Sequence, residues 1–249
     1  MNFNPLPTTR RLINLLRLLT KEQLKEPTSL LWSIVSPCAF YLMLQSSTAT
    51  DDLPFDAYLP RAAWFLAYLS ATTAFFGMSF YLIGRRESGF VRSFIYTRRT
   101  ILLFLSAHIG THVVVSLFYA TVFYGVTRSV FGSPAWHEYV QLMSGYFISY
   151  LAFASAGLLV SLLPLTFSGA NTLFSILSFA MLTSGYVGAQ QVGSTTSAGL
   201  TYNPLTLCTR LFMEPIDPYA VAGVLLLFGA CACATAFLFR VQPVWSRYA

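Results

Sequence analysis

Two histidines four residues apart, His108 and His112 in the run HIGTH, have types and spacing that could do chemistry. On a helix the two rings share one face, which is metal-ligand spacing. A zinc hydrolase of that pattern needs a general-base glutamate after the first histidine; Ile109 stands there, and no third ligand follows nearby. Hydrogen bonding between helices is the plainer use of the pair. Asp51 and Asp52 are adjacent acids that could hold Mg²⁺ for a prenyl transfer, but no second acidic cluster accompanies them, and they read as a solvated loop. Of the four cysteines, Cys38, Cys231 and Cys233 fall inside apolar runs, Cys208 lies outside them, and Cys-Ala-Cys is neither a redox nor a zinc motif. A phosphate-cradling loop requires a lysine after its glycines, and the only lysines, Lys21 and Lys25, follow Thr20 and Leu24. The chain therefore carries no ATPase motif of that kind.

The densest charge is GRRESGFVRSFIYTRR, residues 84–99, with Arg85, Arg86, Arg92, Arg98 and Arg99 crowded between two long apolar runs. The rest of the chain is poor in charge. Globular proteins hold roughly 25% charged residues; here the share is 10%, with 55% hydrophobic residues and a mean hydropathy of +0.61. Lipid is the solvent such a composition suits. Six stretches are apolar and long enough to cross, near Thr28 to Gln45, Ala62 to Ile83, Thr100 to Val126, Tyr139 to Leu162, Asn171 to Ala189 and Pro218 to Phe239. Backbone polar groups in lipid must bond internally, and the runs lack period-2 alternation, so helices are expected. The fold class expected is all-α: a polytopic membrane protein with six transmembrane helices in one domain, residues 28–249, preceded by an amphipathic segment over residues 1–27.

Topology follows from the cations. With both termini inside, twelve of the fifteen lysines and arginines are cytoplasmic, and only Arg61, Arg128 and Arg210 lie outside. The net charge of +6 is then met by anionic membrane lipids and calls for no nucleic acid. Positive loops hold topology, which accounts for the five arginines by itself. A second reading comes from their pattern: as a short helix from Arg86 to Tyr96, the segment sets Phe90, Phe94 and Val91 to one side and Glu87 and Arg92 elsewhere. Tethered to two spans, such a segment is a handle that a soluble partner could grip. Near the N-terminus, Arg10, Asn14, Arg17, Lys21 and Lys25 recur at helical spacing against Leu12, Leu15, Leu16 and Leu19, an interfacial amphipathic helix ended by Pro27. No small-residue cleavage site follows it, so it does not read as a signal peptide.

This layout resembles the permeases of ABC type-2 exporters over essentially the whole chain. Arg86, Glu87 and Gly89 resemble the Arg-Glu-x-Gly start of that family's coupling helix, although the proline often found near its end is replaced by Thr97 and Arg98. Asn203, Pro204, Leu205 and Thr206, with Arg210 beyond, lie in an outer polar segment, residues 190–217, and resemble the Asn-Pro motif that follows the family's outer re-entrant segment. The resemblance implies a bacterial cytoplasmic-membrane permease with no ATPase of its own. Two copies would form the pathway, and two copies of a separate ATPase, holding the ATP and Mg²⁺, would grip the segment through Arg85, Arg86, Glu87, Gly89 and Arg92. In that family helices one, two and five border the pathway, which makes Tyr41, Tyr68, Phe75, Phe76, Phe174 and Tyr186 its candidate lining. The cargo expected is a glycan, a lipid or a drug-like metabolite, as aromatic rings suit sugar faces and flat apolar molecules alike. A self-sufficient secondary transporter or a polytopic membrane enzyme is the alternative, and the scarcity of carboxylates inside the spans counts against ion-coupled transport. Small residues at Ala152, Ala156 and Gly157 and at Ala230, Ala232, Ala234 and Ala236 would let helices approach closely, between copies or within one.

Overall fold

The computed structural model describes residues 8–26, 31–45, 55–91, 97–190, 203–214, 217–240 and 242–244. Every regular element among them is a helix. Helix α1 spans Thr8–Leu24; α2 opens with a π-helical turn, Leu31–Val35, and runs on through Ser36–Gln45. Helix α3 is Phe55–Thr72, a π-helical stretch Thr73–Phe80, and Tyr81–Glu87 in unbroken succession. Then come α4 (Arg98–Phe131), α5 (Trp136–Leu162), α6 (Phe167–Gln190), α7 (Pro204–Met213) and α8 (Pro218–Leu238). Four helical stretches are long and apolar enough to cross a membrane: Tyr58–Glu87, Arg98–Val130, Trp136–Leu162 and Pro218–Leu238. Ser33–Met43 and Phe167–Met181 are shorter apolar helices at two further positions where spans are expected.

Helices α3, α4 and α5 form the centre. Small residues on α3, Ala62, Ala63, Ala67 and Ala74, are fully buried and let its neighbours come close. The tightest approach is to Gly157 of α5, where an added Cβ would stand 2.1 Å from Ser79 Oγ. Gly157, one of the small residues noted above, thus packs within the chain. Helix α8 packs along α5, burying Cys231 and Thr235 and leaving Leu226 and Phe237 exposed. Helix α1 lies along α4, where the Thr111 hydroxyl donates to the Leu16 carbonyl at 3.4 Å and Gly110 makes room for the Leu16 side chain.

One expected element differs. Arg86 and Glu87 do not begin a new short helix; they are the last turn of α3. The chain turns at Ser88 and Gly89, the glycine's φ of +72° being the left-handed conformation that ends helices, and helical backbone resumes at Phe90 and Val91. The Gly89 N–H donates to the Arg86 carbonyl at 3.1 Å and closes that turn. Helix α4 then starts from Thr97, an extended residue whose hydroxyl accepts the Thr100 N–H. That is an ordinary threonine cap, standing where the resembled family often has proline.

Candidate functional site at the arginine end

The last turn of α3 carries the site. Arg86 is 1% exposed, although a lone arginine is among the costliest side chains to bury. Its guanidinium is satisfied almost entirely by backbone: Nη1 donates to the carbonyls of Ser161 (2.8 Å) and Leu163 (3.1 Å), and Nη2 to that of Leu165 (2.7 Å). These carbonyls close α5 and form its turn into α6, where helical partners run out. The planar fork of arginine reaches three such acceptors at once. Nε donates to Glu87 Oε1 at 3.0 Å, which balances the charge. The Glu87 carboxylate in turn accepts the Val244 N–H at 3.1 and 3.2 Å, so the segment after α8 is pinned to the same point.

Arg85 faces the other way. It pairs with Glu22 of α1, donates to the Tyr81 hydroxyl, and lies 4.8 Å from the Tyr81 ring centre and 4.5 Å from that of Phe90. Beyond Gly89, Val91 is buried with Leu82, Ile101, Phe104, Leu105 and Phe239 in a small separate apolar cluster, while Phe90 is exposed. Arg98 donates to the Phe237 carbonyl at 2.8 Å, near the end of α8. One end of the bundle is thereby tied together: α1, the end of α3, the α5–α6 turn, the start of α4 and the end of α8 all meet at these arginines. Arg99 is exposed, and Arg92 lies outside the described residues.

The remaining candidates fall into three groups. On α1, Arg10, Arg17 and Lys21 are exposed, as is Lys25 just beyond it, while Leu19 and Gln23 are buried. Asn203 caps α7, its side-chain oxygen accepting the Leu205 N–H at 3.0 Å, with Pro204 as the first helical residue. Leu205, Cys208 and Phe212 face inward from α7 and Arg210 faces out. Burial pushes the Cys208 thiol above its ordinary pKa, leaving it inert as a thiolate. The aromatic candidates pack against one another inside the chain: Tyr41 meets Tyr58, Phe65 and Phe123 edge to face at 5.4–5.9 Å, and Phe75 stacks on Phe174 at 5.4 Å. Phe76 leans on Phe174 at 6.0 Å and Tyr68 stacks on Trp64 at 6.0 Å; both keep partial exposure. The Tyr186 side chain, Asp51, Asp52 and residues 191–202 of the outer segment lie outside the described residues.

Two features escaped the sequence. At the opposite end, Arg128 and Glu138 form a buried two-pronged ion pair, Nε to Oε2 at 2.9 Å and Nη2 to Oε1 at 3.1 Å, with Tyr124 donating to the carboxylate at 3.2 Å and the Tyr58 ring 5.3 Å from the guanidinium. The signal was available: a cation in the last turn of one helix and an acid in the first turn of the next suit both dipoles. Between the ends runs a ladder of buried hydroxyls, Ser70 with Ser149 (2.6 Å) and Tyr146 with Ser116 (2.7 Å) and Thr73 (3.2 Å). His108 and His112 are buried on α4, and the His108 Nε2–H donates to the Met78 carbonyl of α3 at 2.9 Å, the helix-to-helix bond expected of it. Among the described residues no three His, Cys, Asp or Glu side chains gather as a metal site.

The class these features define is an all-helical protein with four helices of membrane-crossing length and apolarity, gathered at one end around the buried Arg86. No protein-family model matches the chain. It is similar to Protein McbE of Escherichia coli, at 25% identity over 236 residues that cover 90% of this chain and 94% of that protein.

Proposed function

We propose that this chain is the membrane-spanning permease subunit of an ATP-driven ABC exporter in a bacterial cytoplasmic membrane, moving a glycan, lipid or drug-like metabolite outward. The observation that carries the reading is the tie at Arg86 and Glu87. The segment that begins at Gly89 is rooted in a turn whose side chains also hold the α5–α6 turn and the segment around Val244. Force applied to that segment reaches several helices at once, which is what a coupling element has to achieve. Arg86 and Glu87 are the root of this lever, and exposed Phe90 marks the surface a partner would touch. The exposed cations of α1 face anionic headgroups, and its Leu16 rides on α4. Two such chains and two separate ATPase chains, which bind the ATP and Mg²⁺, complete the assembly; closure of the ATPases pulls the two membrane halves against each other.

The test is to tag the chain, extract it from its native membrane in mild detergent, and identify its companions by mass spectrometry. A stoichiometric soluble chain bearing a P-loop is the expected result. Recovery of this chain alone from several detergents would defeat the reading and favour a self-sufficient transporter or membrane enzyme.

A further inference from the structure

Helix α1 buries a polar side chain that its leucine face does not call for. Gln23 is 4% exposed and borders a cavity of about 10 Å³ lined from four helices: Gln23 of α1, Ser33 of α2, Thr73 and Gly77 of α3, and His112 and Ser116 of α4 among others. A missing side chain helps to open it, since a Cβ added at Gly77 would stand 3.6 Å from His112 Nδ1. Thr73 and Gly77 both belong to the π-helical stretch of α3, and such stretches concentrate at functional sites. The Thr73 hydroxyl donates to the Leu69 carbonyl at 2.7 Å, so toward Ser116 at 3.3 Å and Tyr146 at 3.2 Å it accepts. One proton lies between Ser116 and Tyr146, 2.7 Å apart, and the other turns to Thr73. All three hydroxyl protons are then engaged, while Ser116 and Thr73 each keep a lone pair.

We propose that this cavity is the binding site of one ordered water molecule, which joins His112 Nδ1 to the hydroxyls of Thr73 and Ser116 and gives the Gln23 amide polar surroundings. Size, charge and hydrogen-bonding capacity each select that ligand. A volume of about 10 Å³ has room for about one water and none for a larger ligand. Among the described residues lining it there is no carboxylate, lysine or arginine, so an ion there would lack a balancing charge in a low dielectric. Toward the ligand the hydroxyls accept. Water supplies them with a proton, and its second proton and lone pairs serve the imidazole and the amide, whichever nitrogen of His112 carries the hydrogen. Buried waters make about three such bonds. Helix α1 is thereby joined to α3 and α4 through polar contacts as well as through Leu16: a leucine face suits lipid equally well, whereas Gln23 suits only this cavity. The site stands independently of the exporter reading.

The chain has three histidines, and they act as one another's controls in the full-length, ¹⁵N-histidine-labelled protein in lipid bilayers. Magnetisation transferred from water to the ring nitrogens, read by solid-state NMR, should reach exposed His137 and buried His112. It should pass over His108, which is bonded to the Met78 carbonyl and stacked on Tyr81 and Phe104. His112→Gln identifies its signal by removing it. Gly77→Ala is the deciding variant: the methyl takes the place of the water at ordinary contact distance from His112 and alters no polar side chain. Transfer to His112 should fall several-fold, to the level of His108, with His137 unchanged. A His112 signal no stronger than that of His108 in the unaltered protein would overturn the site, and that result needs no variant. Transfer to His112 that survives Gly77→Ala would overturn it too, because water would then reach the ring by another route.

Discussion

Arg86 is held by four acceptors, none of which can move away without exposing a charge to apolar surroundings. Breaking a buried pair from one side costs about 3–5 kcal/mol, so Arg86→Ala should sharply lower the thermal midpoint of the detergent-solubilised protein followed by size exclusion. Arg86→Lys should fall between the two, because an ammonium cannot span three carbonyls in a plane. An unchanged midpoint for Arg86→Ala would show that these bonds do not carry the fold. Gly157→Ala tests the opposite failure, crowding: the new methyl would meet Ser79 Oγ at 2.1 Å, a cost of about 1–3 kcal/mol. Removing that hydroxyl in a Ser79→Ala background should recover part of the loss. The sequence singled out Arg86, Glu87 and Gly89 but not the direction in which they face. Their partners lie 75 to 157 residues further along the chain, and no local pattern announces a carbonyl that remote.

Gly89 decides where α3 stops. Space around it is open, so Gly89→Ala adds no clash and acts only through its φ of +72°, at a cost of about 1–2 kcal/mol. The expected result is a small loss of stability with a larger loss of transport-coupled ATP hydrolysis in the assembled complex; equal activity would remove the turn from the coupling argument. Legibility at this scale was uneven. Helices stand wherever a long apolar run was found, since lipid and protein interior impose the same demand on the backbone. The short helix α7 was legible through its Asn-Pro start, a cap followed by a proline that cannot donate. The seating of α1 on α4 was not, because a leucine face that suits lipid also suits the groove beside Gly110. Helix ends were missed for a similar reason: α3 starts at Phe55 and ends at Glu87, beyond its expected apolar run, where polar groups are satisfied by neighbours instead of water.

Across the whole molecule, the ends of the bundle differ in kind. One gathers Arg85, Arg86, Arg98 and the tail; the other holds Arg128 paired with Glu138. If the cation asymmetry sets orientation, a cysteine at exposed Ser133 should react with a membrane-impermeant maleimide in intact cells, and one at exposed Ser88 only after permeabilisation. The reverse pattern would invert the topology and sink the exporter reading with it. The arginine end also has a history written into its order of synthesis. Arg86 and Glu87 are made long before the groups that receive them: Ser161 follows Arg86 by 75 residues and Val244 follows Glu87 by 157. At a ribosomal pace of about 5–20 residues per second, the second interval is roughly 8–30 s. The guanidinium gains its carbonyls about halfway through it, while the Glu87 carboxylate waits to its end for the Val244 N–H, so this end of the protein closes last. The emergence of Val244 becomes the event that latches the newborn chain, and a chain cut short of it leaves the ribosome with the Glu87 carboxylate still missing its backbone donor.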